Sequence, residues 1–166
     1  MRWWTLALPM LLLAGQPAFA EYGTTRWGMT ADEVVTAVGG DARKVKDKRD
    51  ERLFEQRKLA ESTLEDKGIE YTASYFFGEQ GTGLTMVNLV PAAPEKNCAA
   101  TLAAFTERFG PAAEQQSREV FPGLVESVTL WRTGPGDEFV DYNVVQIRGR
   151  SSHCQVLYQQ REFAKN

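Results

Sequence analysis

Apolar and polar positions along this chain follow two periods, and each period marks a kind of element. Ala31, Val34, Val35 and Val38 fall on one side of a helix, the 3.6-residue spacing of an amphipathic segment. Thr30 with Glu33 reads as a capping box and Met29 with Val34 as a hydrophobic staple, so the helix starts after Thr30. Gly39-Gly40 ends it. A second helix is expected from about Glu95 to Phe109, where Cys98, Leu102, Phe105 and Phe109 share a face and Gly110-Pro111 forms a stop.

The other segments alternate. Ile69, Tyr71, Ala73, Tyr75 and Phe77 are interleaved with Glu70, Thr72 and Ser74, the period of a half-buried strand. Further strands are expected at 59–65 and 84–90, then at about 124–132, 138–148 and 153–160. Turn residues separate them: Asp66-Lys67-Gly68, the glycines between Gly78 and Gly83, Thr133 to Asp137, and Gly149 to Ser152. Residues 110–123 read as a linker. Helix and strands thus occur in the same order twice at a nearly constant offset, a pseudo-repeat over 26–91 and 92–160. The expected fold is α+β: two αβββ units forming one antiparallel sheet of about six strands, with both helices on one face.

The start of the chain changes the picture. Arg2, the apolar run from Trp3 to Ala14 and Ala18-Phe19-Ala20 have the three-part form of a cleavable signal peptide over residues 1–20. The run is too short to span a bilayer, which takes roughly 20 apolar residues. Gln16 stands where a lipoprotein would need its cysteine, so no stable membrane anchor is expected. The mature chain, 21–166, is expected to be a single periplasmic domain. In an oxidising compartment its two cysteines, Cys98 and Cys154, read as a disulfide.

Charge then narrows the partners. The chain carries a net charge of −3, and loss of Arg2 with the leader makes the mature form more acidic. Such a surface offers no broad field to nucleic acid. Residues 41–58 are the most polar stretch, with bases and acids interleaved, and read as a solvated segment of self-compensating charge.

Arg26-Trp27-Gly28-Met29-Thr30-Ala31-Asp32-Glu33-Val34, the Phe109-Gly110-Pro111 helix end and the strand Cys154-Gln155-Val156-Leu157-Tyr158 resemble small exported bacterial proteins. The group is similar to the outer-membrane assembly lipoproteins of the SmpA/BamE kind and to beta-lactamase inhibitory proteins. That resemblance implies helix-plus-meander units and a binding or scaffolding role. The lipidation cysteine of the first group is missing here, and no functional residue is carried over from either.

Few motifs point to chemistry. His153 is the single histidine, and no metal-ligand spacing, phosphate loop or dinucleotide fingerprint occurs. On a strand His153 and Cys154 point to opposite faces, which argues against a Cys-His nucleophile. No cofactor and no catalytic residue is assigned. The aromatics are more informative. Tyr71, Tyr75 and Phe77 are expected beneath the helices, while Phe76 and Trp131 are expected on the opposite, open face as partner-binding residues. The leading expectation is a soluble periplasmic binding or envelope-assembly support module without catalytic activity, with a protein partner in the cell envelope. Two alternatives are an inhibitor or immunity-type protein that plugs an extracytoplasmic enzyme with the Thr133–Asp137 loop, and a hydrolase using paired carboxylates.

Overall fold

The computed structural model describes residues 22–78, 83–133 and 138–160. The expected leader, its cleavage site and most of the Thr133–Asp137 loop lie outside the described residues. Helix α1 (Ala31–Val38) is followed by strands β1 (Arg43–Lys44), β2 (Arg57–Asp66), β3 (Ile69–Phe77) and β4 (Leu84–Pro91). Helix α2 (Pro94–Phe109) precedes β5 (Glu114–Phe121), β6 (Leu124–Arg132), β7 (Glu138–Ile147) and β8 (Arg150–Gln160). The eight strands form one sheet in the order β1-β2-β3-β4-β8-β7-β6-β5. All neighbours are antiparallel.

This corrects the expected architecture. The sheet has eight strands, not about six, and the units are not a helix with three strands. Two strands escaped the pattern for different reasons. β1 is only two residues long and both are charged, so it carries no alternation. β5 reads EQQSREVF and is exposed along its whole length. Period-2 alternation arises only where one face is buried, and neither face of β5 is.

α1 starts as its sequence dictates. The Thr30 side chain accepts the Glu33 amide, and the Glu33 carboxylate accepts the Thr30 amide at 2.8 Å. α2 has Pro94 in its first turn and ends at Gly110, whose amide donates to the Thr106 carbonyl.

Both helices pack on the sheet face that carries Ala60, Tyr71, Tyr75, Phe77, Val87, Leu89, Val156 and Tyr158. Val34 of α1 and Phe105 of α2 are buried among them. The Cys98–Cys154 disulfide ties α2 to β8, with Cα atoms 5.7 Å apart. Two hydrogen bonds reinforce the seam: Tyr142 donates to the Cys98 carbonyl at 2.9 Å, and the Tyr71 and Thr101 hydroxyls meet at 3.2 Å.

An N-terminal strap, residues 22–29, closes one side. Gly28 donates to the Leu84 carbonyl at 2.9 Å, and Leu84 returns a bond to Met29 at 2.8 Å. That pairing presses the strap onto Gly83, where a Cβ would stand 2.7 Å from Gly28 Cα. Only glycine fits there, and its positive φ of 127° also favours glycine.

Candidate functional site

The two aromatics expected on an open face are both buried. Trp131 is 1% exposed and lies on the helix-covered face. Its ring packs against Phe109 of α2, and its indole N–H donates to the Gly110 carbonyl at 3.0 Å. Thr129 and Ser127 share that face by the two-residue period of the strand, and Thr129 is itself buried, so the polarity of these neighbours does not mark an open face. Phe76 does lie on the helix-free face but is 5% exposed, packed with Met86, Leu157 and Leu53.

Leu53 belongs to the charged segment, which therefore folds over that end of the sheet. Its charges largely satisfy one another. Asp47 accepts from Arg52 at 2.8 Å and from Arg57 at 3.0 Å. Lys58 bridges Glu51 and Glu61 at 3.3 and 2.8 Å. The Gln56 side-chain oxygen accepts from the Thr85 hydroxyl at 2.6 Å, fastening the segment to β4. The segment thus holds β1 and the first residues of β2, with a short 3₁₀ turn (Arg49–Glu51) and loop between them. His153 is exposed while Cys154 is buried in its disulfide.

A cleft of about 770 Å³ opens instead on the helix-covered face, between the ends of the two helices. The end of α1 forms one wall through Val38, Gly39, Gly40 and Asp41, and the end of α2 forms the other through Arg108 and Phe109. β2 supplies the floor, with Ser62, Leu64 and Asp66 on the helix side, joined by Tyr75 of β3 and Tyr158 of β8. The strap closes a third side with Tyr22, Gly23 and Thr24. The Tyr22 ring stands 5.0 Å from that of Tyr158, and the Thr24 hydroxyl donates to the Ala37 carbonyl at 2.6 Å.

Sequence reasoning missed this site because its residues come from seven separate segments. The alternation did mark Tyr75 as pointing toward the helices. What it could not show is that the helices leave Tyr75 next to a gap.

Polar groups in the cleft are mostly engaged. Arg108 holds Asp66 at 2.6 Å and is within hydrogen-bonding reach of Tyr158. The Tyr75 and Ser62 oxygens meet at 3.1 Å. Burial pushes the Tyr158 phenol up to about 12, although Arg108 beside it pulls the other way. Burial also raises Tyr75 and Tyr22, the latter helped by the neighbouring Tyr75 and Tyr158. All three phenols are therefore neutral at pH 7. Thr133 also lines the cleft, and its buried hydroxyl has no hydrogen-bond partner among the described residues.

Asp41, Glu65 and Asp66 line the cleft, and Asp66 is paired with Arg108. Sugar hydrolysis needs one carboxyl held protonated beside an ionised one. Asp41 is shifted the wrong way for an acid, because hydrogen bonds from Thr63 lower its pKa. The carboxyl whose pKa burial raises is Asp141, and its place in the β7–β8 register puts it on the opposite face of the sheet. Among the described residues, no group of three His, Cys, Asp or Glu side chains gathers to hold a metal ion, and no helix is long and apolar enough to cross a membrane.

Comparison with protein-family models, with curated proteins and with solved structures finds no match.

Proposed function

We propose that the chain is a periplasmic binding module that holds a small ligand in the cleft between α1 and α2 and performs no chemistry on it. The observation that carries this reading is the cleft itself. Its volume of about 770 Å³ falls in the range of pre-formed small-molecule sites, roughly 300–1,000 Å³. Its lining matches such sites in kind as well. Apolar and aromatic walls from Val38, Leu64, Phe109 and Tyr22 surround a few fixed polar groups. Export fits the buried disulfide and the leader-like residues 1–20, with Glu21 as the mature N-terminus. A protein partner in the envelope would receive or present the ligand.

The test uses the mature chain, residues 21–166, and the neutral fluorescent amphiphile N-phenyl-1-naphthylamine. Val38 stands half-buried at the rim, so Val38→Trp would fill the mouth without opening the core. The dye should bind the wild type with a single saturable constant. Val38→Trp should lose that binding by tenfold or more, about 1.4 kcal/mol, at an unchanged melting temperature. Equal binding by both proteins would place the dye elsewhere and remove the cleft as a site.

A further inference from the structure

We infer that the cleft takes an amphipathic amine, with its apolar body over Leu64 and Phe109 and its ammonium group at the rim formed by Asp41 and the end of α1. The inference rests on the reading of the cleft as a binding site and deepens it. Its basis is the balance of charge around the opening.

The floor is neutral. Arg108 and Asp66 cancel at 2.6 Å, and the three phenols keep their protons. The rim at Gly39-Gly40-Asp41 is negative for two separate reasons. First, α1 ends there, and its last turn contains no base. The partial negative charge of a helix C-terminus, roughly half an elementary charge, is therefore left without a counterion. Second, the Asp41 carboxylate is held in place by the Thr63 backbone amide, at 2.9 and 3.1 Å to its two oxygens. Hydrogen bonding from Thr63, side chain first and backbone amide second, lowers its pKa and keeps it ionised. Of the bases that follow in the chain, Arg43 is paired with Glu61 at 2.5 Å while adding a smaller pull on Asp41, and Lys44 is paired with Asp32 at 3.0 Å.

A carboxylate or phosphate ligand would meet repulsion at this rim. A neutral ligand would gain nothing from it. An ammonium gains the Asp41 carboxylate and the helix end. The apolar walls then select for a body longer than the amine alone.

Three eight-carbon probes separate these cases: octylamine, octanol and octanoate, each titrated into the mature protein at pH 7 and low salt. The backbone amide signals of Gly39 and Gly40 report occupancy by NMR. Octylamine should bind tightest, about fivefold over octanol, the scale of an exposed charge at a helix end, and octanoate should bind weakest. Asp41→Asn keeps an acceptor for Thr63 and should bring octylamine to within about twofold of octanol. Added salt at 0.5 M should shrink the wild-type preference in the same direction, which provides a reading that depends on no variant. Octanol or octanoate binding as well as octylamine would overturn the amine and leave the cleft standing. So would a preference that survives both Asp41→Asn and salt. Binding by none of the three would overturn the cleft itself.

Discussion

The inner and outer strands of this sheet share a backbone geometry and differ in almost everything else. β3 sits mid-way in one half, under the helices. Tyr71, Ala73, Tyr75 and Phe77 fill its covered side, and each is buried. β5, at the far edge, pairs with β6 from Glu114 to Phe121 and buries none of its side chains. Beyond the helices the sheet continues as a ribbon wet on both faces, with Phe121 67% and Ile147 49% exposed. Strand pairing alone therefore does not decide what a strand's residues look like. The layer packed on the strand decides it.

The largest test of that contrast is Trp131, whose ring sits where β6 passes under the end of α2. Trp131→Ala should cost about 3–5 kcal/mol, the range for emptying a buried aromatic site, read from urea denaturation. A loss below 1 kcal/mol would mean that the covered region reaches less far along β6 than the packing indicates.

The disulfide comes next. Cys98 and Cys154 are 56 residues apart and join the helix layer to β8. Chain entropy assigns such a link roughly 4 kcal/mol. Reduction should lower the melting temperature clearly, and α2 amides should exchange faster with solvent than those of β2 and β3. Two thiols titrating in the native, non-reduced protein would falsify the link.

Asp141 tests the helix-free face. It is buried, one of its oxygens accepts from Gln159 at 2.5 Å, and the other has no hydrogen-bond partner among the described residues. Burial raises its pKa in the folded state above the unfolded value. Such a carboxyl supports the fold while protonated, and its contribution is lost as pH rises through the folded pKa. Asp141→Asn should therefore raise the melting temperature at pH 7 and leave it unchanged at pH 3. An equal gain at both pH values would trace the effect to packing rather than charge.

The smallest effect belongs to the ribbon. Phe121→Ser should change stability by no more than about 0.5 kcal/mol, as for a surface position without special contacts. A larger loss would show that the exposed ribbon is covered in solution.

Much of the fold was legible in local signals because their physics is local. The capping box at Thr30 and Glu33 fixes a helix start with two hydrogen bonds three residues apart. Gly110 stops α2 through its own backbone. β3 carries its burial in its side-chain order, with Tyr71, Ala73, Tyr75 and Phe77 on the covered side. The cysteine pairing was legible from number and compartment.

What the sequence could not carry was which layer covers which stretch. Trp131 among small polar residues reads the same whether its face is open or capped by the last turn of α2. β5 reads as a linker because a strand exposed on both sides has no reason to alternate. The cleft is the clearest case. Asp41, Ser62, Leu64, Tyr75, Arg108 and Tyr158 share no period and no motif. They meet only because two helices of unequal length, one ending at Val38 and one at Phe109, leave part of a single sheet face uncovered. Helix ends and most strands follow from neighbours along the chain, and the disulfide from there being two cysteines to pair. The site follows from a gap between layers, and a gap has no residues of its own to announce it.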